Sequence, residues 1–379
     1  MFARQMITAA LLMALSAQQV SACLWDRDTL AFEGSQYGEI LNVIAGRFPR
    51  NPDIFYEARL ARVTREIADD PDNLGLYDDA GVACDRLHRP AEAIAWMEKK
   101  AAILATDPDP DHEYRYHANL GTFLIHRWLR AGAKADQPEG KQGAEHIRKA
   151  IGINPDAHFG REAIQLQAIE WILAERGATI VPPREDNLFW HLHEKGYLPD
   201  EINRTKALEG LAGLVTLGAA WESVDVFDAM ARVFRDQDDS SMAMLAQLRV
   251  AELFEDGRRS LAPDSPDSYS VAEGGLQFSG HVKKWFRKAR RAADSWQAAR
   301  DRYIGDQIAA GKHPDTHPDF WDGFDEDQHR LPKLPHNSPT PTGRLINGIK
   351  IAVIICGSLL IAILACRTII RRTRTCSRA

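Results

Sequence analysis

Two stretches of the sequence carry side chains that could do chemistry. Asp26 and Asp28 lie two residues apart near the N-terminus, and a pair of carboxylates can supply a nucleophile and a general acid or base. Residues 313–329 alternate histidine with aspartate, and both residue types can bind a divalent metal. Either chemistry depends on secondary structure that holds these groups together. The candidate metal ligands are His313, Asp315, His317, Asp319, Asp325, Asp327 and His329.

The stretch Asp26-Arg27-Asp28-Thr29 resembles the D-x-D-x-T signature of the haloacid-dehalogenase phosphatases. In that family the first Asp accepts the phosphate and the second is a general acid/base. The family also needs a strand before the first Asp, a βαβ core, a phosphate-binding lysine and an acidic pair for Mg²⁺. Here a hydrophobic leader precedes Asp26 and a helical pattern follows it, so we predict no catalytic residue and no enzyme. A metal- or phosphate-dependent hydrolase that uses Asp26 and Asp28 is the enzymatic alternative.

The histidine- and aspartate-rich stretch lacks the spacing of a zinc site or an EF-hand. Pro314 and Pro318 prevent a regular helix that would bring its side chains to one face. Proline and acidic residues recur through residues 312–344, which indicates a solvated stalk. We therefore predict no metal and no cofactor.

The first 22 residues have the parts of a secretory signal peptide. A positive start precedes an apolar stretch at residues 7–17 and a more polar end. Residues 1–22 are therefore predicted to be removed before Cys23. The preceding residues, Val20-Ser21-Ala22, also resemble a lipobox, in which the cysteine is acylated. Cys23 could instead form a disulfide with Cys84 in an oxidising compartment, or stay free. For Cys84 we favour the role of a small core residue.

Residues 345–366 are predicted to form a transmembrane helix. They are apolar over about the 20 residues that a span requires, and Lys350 lies near one end, where it can snorkel. The tail at 367–379 contains five arginines, and the positive-inside rule places it in the cytoplasm. The signal peptide and the tail both predict a single-pass protein of the cytoplasmic membrane. Residues 23–344 would lie outside the cytoplasm, in the periplasm if the cell is Gram-negative.

Residues 23–257 are predicted to form the main helical domain. Apolar residues recur there at spacings of three and four, which predicts an all-α fold. Two helix pairs are clearest, at residues 74–107 and 114–156, and the second contains an insertion of roughly ten residues. Asn73 is predicted to cap the first helix. Asp78-Asp79 inside that helix is interpreted as a solvated face.

The two helix pairs resemble the tetratricopeptide repeat (TPR) family. The resemblance implies a TPR-like α-solenoid whose concave groove binds a protein or peptide. The stretch Cys23 to Leu30, C-L-W-D-R-D-T-L, also resembles the mature start of exported bacterial TPR proteins, which open with C-L-W-D-x-D-T-L. The matching structural positions are Tyr77, Ala80, Gly81, Ala93, Met97 and Ala101 in the first pair, and Leu120, Gly121, Leu124, Ala150 and Pro155 in the second.

The composition changes after residue 257. Residues 258–281 are rich in Ser, Pro, Asp and Gly and are predicted to form a linker. Residues 282–311 are predicted to form one amphipathic helix, which packs on the stack or pairs with another chain. Its basic residues form a solvated face or lie on a membrane surface. The apolar seam comprises Val282, Trp285, Ala289, Ala292, Trp296, Ala299 and Tyr303, and the basic residues are Lys283, Lys284, Arg287, Lys288, Arg290 and Arg291.

The sequence as a whole leaves three hypotheses for the function, and none of them is nucleic-acid binding. A net charge of −6 argues against a nucleic-acid-binding protein. The favoured hypothesis is a membrane-anchored TPR scaffold outside the cytoplasm that mediates protein–protein interaction. The alternatives are the hydrolase and an envelope structural protein that self-associates through the helix at 282–303.

Overall fold

The computed structural model describes residues 38–131, 137–155, 161–174, 187–261 and 280–333. These residues form twelve α-helices and one short 3₁₀ turn, with no β-strand among them, which confirms the predicted all-α class. Within this described part, no helix is long and apolar enough to cross a membrane. The predictions for the signal peptide, for Cys23, Asp26 and Asp28, and for the membrane span at 345–366 fall outside the described residues.

Every helix of the described part is short or of medium length except the last. The 3₁₀ turn, Ala220–Glu222, lies between the ninth and tenth helices. In chain order the helices are α1 (Gly38–Ala45), α2 (Asp53–Asp69), α3 (Leu74–Arg86), α4 (Pro90–Leu104), α5 (Pro110–Ala131), α6 (Gln137–Ile153), α7 (Arg161–Leu173), α8 (Leu188–Glu194), α9 (Glu201–Thr216), α10 (Val224–Asp236), α11 (Ser240–Glu255) and α12 (Gly280–Ala309).

Short polar side chains begin several of these helices. Asn187, Asp200 and Ser223 accept hydrogen bonds from backbone N–H groups in the first turns of α8, α9 and α10. Pro90 is the first residue of α4, a position whose N–H has no partner within a helix. Asn73 precedes α3 as predicted but makes no capping hydrogen bond. Its amide donates to Asp70 instead, at 3.3 Å.

Helices α2 to α7 pack in chain order, each against the next. Glycines allow the close approach at two of the crossings. A Cβ on Gly81 would lie 3.0 Å from Met97 and 3.0 Å from Phe123. A Cβ on Gly121 would lie 2.9 Å from the carbonyl oxygen of Gly143. Because any side chain at Gly121 would meet backbone, this residue sets the spacing between α5 and α6.

The N-terminal helix α1 is enclosed by helices from the other end of the chain. It contacts α9, α11 and α12, and Ile44 within it is fully buried. Gly46 follows with a φ of 83°, and a Cβ there would lie 2.5 Å from Arg290 and 2.6 Å from Trp221. Arg290 also donates a hydrogen bond to the carbonyl oxygen of Ala45, at 2.8 Å. The turn after α1 is therefore built around a side chain of α12.

Helix α12 joins the last helices to the first. Its N-terminal half packs in the core that contains α1 and α11, and Ile304 near its end packs against Phe55 of α2. Val282, Ala293 and Ile304 are all buried and lie eleven residues apart. The seven-residue spacing of the predicted seam is buried too, at Val282, Ala289 and Trp296, and Val282 and Ala289 lie in the main core of the chain. Thus α12 packs on its own chain, which is one of the two predicted outcomes.

A second link connects the end of α3 to the end of α9. Arg86 donates hydrogen bonds to the carbonyl oxygens of Leu217 and Gly218, at 2.7 and 2.8 Å. The last carbonyls of a helix have no partner within the helix, and a cation there also interacts favourably with the helix dipole. Arg86 therefore ties α9 to the first helix pair.

Residues 312–333, here named the C-terminal strap, lie against α2 and α12. Phe320 is fully buried, in a cluster with Phe55 and Ile304. His313 is also buried, with its Nε2 3.2 Å from the carbonyl oxygen of Phe55. A solvated stalk was predicted for this range, but the strap is a packed segment. The difference arises because aromatic side chains lie between the prolines and aspartates of this segment and pack against α2 and α12.

One carboxylate of the strap is bound by two arginines of α2. Asp315 accepts hydrogen bonds from Arg59 at 2.6 and 2.7 Å and from Arg62 at 2.6 Å. Burial by itself raises the pKa of Asp315, but the hydrogen bonds and charges of Arg59, with help from His313 and Arg62, hold it below its usual value. Ionised Asp315 therefore stabilises the docked strap above the usual aspartate pKa of about 3.9, and this contribution is lost as the pH falls through the lowered value.

We expect Asp315→Asn to loosen the strap without unfolding the helices. The variant should be cleaved by chymotrypsin after Phe320 about tenfold faster than the unchanged chain, because a neutral amide replaces the carboxylate that accepts the hydrogen bonds of Arg59 and Arg62 near the protein surface. Mass spectrometry of the fragments gives the rate. Pepsin, which is active in acid, should in the unchanged chain cleave the strap faster as the pH falls through the lowered pKa of Asp315.

Asp327→Asn is the matched control in the same strap. Asp327 pairs with Arg330, and both side chains are well exposed, so the substitution should change the cleavage rate little. Equal acceleration in the two variants would show that the Asp315 contacts do not hold the strap.

Candidate interaction surface

The predicted repeat positions are nearly all inward-facing, which makes them structural residues. Two positions differ: Ala101 is only half-buried and Pro155 is exposed. The buried ones are Tyr77, Ala80, Gly81, Ala93, Met97, Leu120, Gly121, Leu124 and Ala150.

Lys100 occupies the inward position that had been assigned to Ala101. It lies seven residues after Ala93 and three after Met97, so the three share one face of α4. The side chain of Lys100 has no exposed surface at all. A lysine is almost never fully buried unless it is paired with an opposite charge. A carboxylate is therefore expected beside Lys100.

Asp78 of α3 is the partner of Lys100. Both carboxylate oxygens accept from the Lys100 ammonium at 2.7 Å, and Asn119 of α5 donates to the same carboxylate at 3.0 Å. His112 places its Nδ1 3.6 Å away. Burial lowers the pKa of Lys100, and the attraction of Asp78 opposes that shift only in part. Asp78 is 13% exposed, so the predicted solvated face is wrong at this residue.

A second polar contact between α3 and α5 lies two helical turns after the contact of Asn119 with Asp78. His126 of α5 lies 2.8 and 3.0 Å from the two carboxylate oxygens of Asp85 of α3. Asp85 lies seven residues after Asp78, and His126 lies seven after Asn119, so both pairs join the same faces of α3 and α5. We name this surface the polar face and define it by Asp78, Asp85, Asn119 and His126.

The polar face continues onto the next helix and reaches solvent at one end. Gln165 of α7 donates to Thr122 of α5 at 3.1 Å, which extends the row of contacts across three helices. Beyond Asp85, Arg130 lies 3.1 Å from the Nδ1 atom of the exposed His88. Arg130 is 37% exposed. The row therefore combines buried polar contacts that fix the helices with accessible groups that a partner could contact.

Two histidines form a separate joint between α5 and α6. The Nδ1 atoms of His117 and His146 are 2.8 Å apart, and the ring centroids are 5.0 Å apart, so the two nitrogens point at each other. A shared metal would need both lone pairs directed at a third position, whereas this geometry is that of an N–H···N hydrogen bond. Burial, with the charges of His117 and Lys149, lowers the pKa of His146 to about 4.

The other candidate residues serve packing as well. His313 and Asp315 bind the backbone and side chains of α2, as described above, and nowhere in the described ranges do three His, Cys, Asp or Glu side chains form a group that could hold a metal ion. Cys84 is a free, fully buried thiol, and burial raises its pKa to about 11. Such a thiol is almost wholly protonated at neutral pH and hence a poor nucleophile.

Sequence reasoning missed the contacts that Lys100 and Asn119 make with Asp78 and that His126 makes with Asp85. Two signals were present. Lys100 keeps the seven-residue register of the buried Ala93, and the spacing of Asp78 to Asp85 equals that of Asn119 to His126. The helix pattern gives a face for each residue but does not show that the faces of α3 and α5 meet.

The buried pair predicts a large cost when one charge is removed. Asp78→Asn should lower the free energy of unfolding by about 3 kcal/mol, because it leaves the Lys100 cation buried without a counter-charge. The double variant Asp78→Asn with Lys100→Met should recover most of that loss. Urea unfolding of the full chain in detergent, followed by helical circular dichroism, measures both.

Asp79→Asn provides the control at the neighbouring position. Burial raises the pKa of Asp79, so folding disfavours its charged form and loss of the charge should leave stability unchanged or slightly higher. An equal loss of stability in Asp78→Asn and Asp79→Asn would contradict the assigned pairing.

Comparison with known proteins supplies no relative: no family model, no curated protein and no solved structure matches the chain. What the helices do must therefore be inferred from their own contacts.

Proposed function

We propose that this chain is a membrane-anchored scaffold whose TPR-like α-solenoid binds a protein or peptide outside the cytoplasm. The solenoid is supported by helices α2 to α7, each packed against the next, because stacked helix pairs are the unit of repeat proteins. The pattern of small and large residues in the two helix pairs supports membership of the TPR family.

The polar face is the observation that carries the binding proposal. Its row of contacts runs across α3, α5 and α7, through Asn119 and Asp78 and through Gln165 and Thr122. Polar groups that are held by one another keep one conformation, so little side-chain entropy is lost when a partner binds. The exposed His88 and Arg130 at its end supply groups that a partner can contact.

Anchoring and location are proposed from the two ends of the sequence. Residues 1–22 have the composition of a signal peptide, and residues 345–366 have the length and apolarity of a span. The arginine-rich tail favours a cytoplasmic C-terminus. The helical body would then work at the outer surface of the cytoplasmic membrane.

A charge placed at Gln165, where the row of contacts continues from the polar face onto α7, should weaken partner binding. Gln165→Lys puts a cation between α5 and α7, and we expect it to reduce recovery of bound proteins in affinity purification from cross-linked membranes at least about tenfold. Gln142→Lys is the matched control, because Gln142 is exposed on α6 and the substitution is the same. Identical sets and amounts of bound protein with both variants would count against the polar face as the binding surface.

Truncation tests the anchor separately. The full chain should stay in the membrane pellet after extraction with alkaline carbonate, and a chain that ends at Gly343 should be released, because about 20 apolar residues hold a span in the bilayer. Detection by antibody in pellet and supernatant gives the distribution. Release of the full chain would overturn the anchor.

A further inference from the structure

The first half of α12 presents one strongly basic surface. Lys284, Arg287, Lys288 and Arg291 are exposed, and their spacing of three and four places them on one side of the helix. We name this surface the α12 basic face. Among the described residues, no ion pair or side-chain hydrogen bond is made by any of the four. Arg290 is different, since Glu252 and Asp294 bind it.

The charge of α12 is strongly asymmetric along its length. Residues 280–293 contain no acidic residue, and the first one is Asp294, which pairs with Arg290 at 3.1 Å. Asp301 and Asp306 follow in the second half. The basic face is therefore confined to the beginning of the helix, before its first acidic residue.

The apolar side of the same half-helix is already covered. Val282, Trp285, Phe286 and Ala289 are buried in the main core. The helix therefore has no free apolar face to insert between lipid tails, which is how an interfacial amphipathic helix binds. A contact made by this half of α12 must be electrostatic and made from the surface.

The last described residues pack against the same half of α12. Trp285 donates from Nε1 to the carbonyl oxygen of Pro332 at 3.2 Å, and Leu331 packs against the core that contains Trp285. Residues 334–344 then lead to the predicted span at 345–366. Twelve residue steps cover at most about 40 Å when fully extended, which is the longest distance that the chain can place between Lys333 and residue 345.

We propose that the α12 basic face docks on anionic phospholipid headgroups of the membrane that anchors the chain. The inference rests on the proposed anchoring. Lysines and arginines near a membrane surface are attracted by anionic lipid, and several such charges act together. Docking would hold the first half of α12 against the lipid headgroups.

Chemical labelling of lysines in the full chain tests this docking. The chain is reconstituted in nanodiscs of phosphatidylcholine alone or with about 30% phosphatidylglycerol, and acetylation is followed by mass spectrometry. Lys284 and Lys288 should be acetylated at least about threefold more slowly in the anionic discs, and about 0.5 M salt should remove the difference. Lys141 and Lys206, which are exposed elsewhere, serve as internal references and should react equally in both.

A matched pair of variants links the protection to the basic face. Arg287→Gln with Arg291→Gln should abolish most of the protection of Lys284 and Lys288. Arg65→Gln with Arg302→Gln removes the same charge from exposed positions outside the basic face and should leave protection unchanged.

The outcomes separate the two proposals. Failure of the chain to stay in any nanodisc overturns the anchor and the docking with it. Retention with equal labelling of Lys284 and Lys288 in neutral and anionic discs overturns the docking alone. Protection seen in native membrane vesicles but not in anionic discs identifies an acidic protein as the occupant and also overturns lipid docking.

Discussion

The burial of one face of α12 is the interaction on which the rest of the structure depends. A row of stacked helices leaves an apolar surface open at each end, and that surface must be covered. One half of α12 covers the core around α1 and α11, and Ile304 in the other half covers Phe55 of α2. The strap adds Phe320 to the same cluster. A single long helix thus covers apolar surface at both ends of the described fold. The apolar seam of α12 is therefore buried against other helices of the same chain.

This closure also limits what the surface can do. With the seam of α12 buried, self-association through Val282 and Trp296 would require the helix to leave its own core. The charged outer side of α12 and the polar face of α3, α5 and α7 remain for contacts with other molecules. The two surfaces differ in kind, because the polar face is held by internal hydrogen bonds and the α12 basic face carries charges with no such bonds. The proposed binding would use the first surface and the proposed docking would use the second.

The fold was predictable from the sequence where local rules apply. Spacings of three and four gave the helices, Pro90 gave the start of α4, and Gly81 and Gly121 marked the close crossings. The strap was missed because proline and aspartate dominate its composition, while its docking depends on Phe320 and on arginines of α2 that lie about 250 residues earlier. The network around Lys100 was missed because its counter-charge lies on another helix.

The sequence by itself determined the helical class, the inward face of each repeat helix and the hydrophobic segments at both ends, because these follow from residue types at fixed local spacing. Only the tertiary structure decided that Lys100 is neutralised by Asp78, that Asp315 locks the strap, and that α12 packs on its own chain. Each of these depends on which surfaces meet across the fold. Local periodicity determines the face of the helix on which a side chain lies. Burial and charge pairing depend on neighbours from distant parts of the chain.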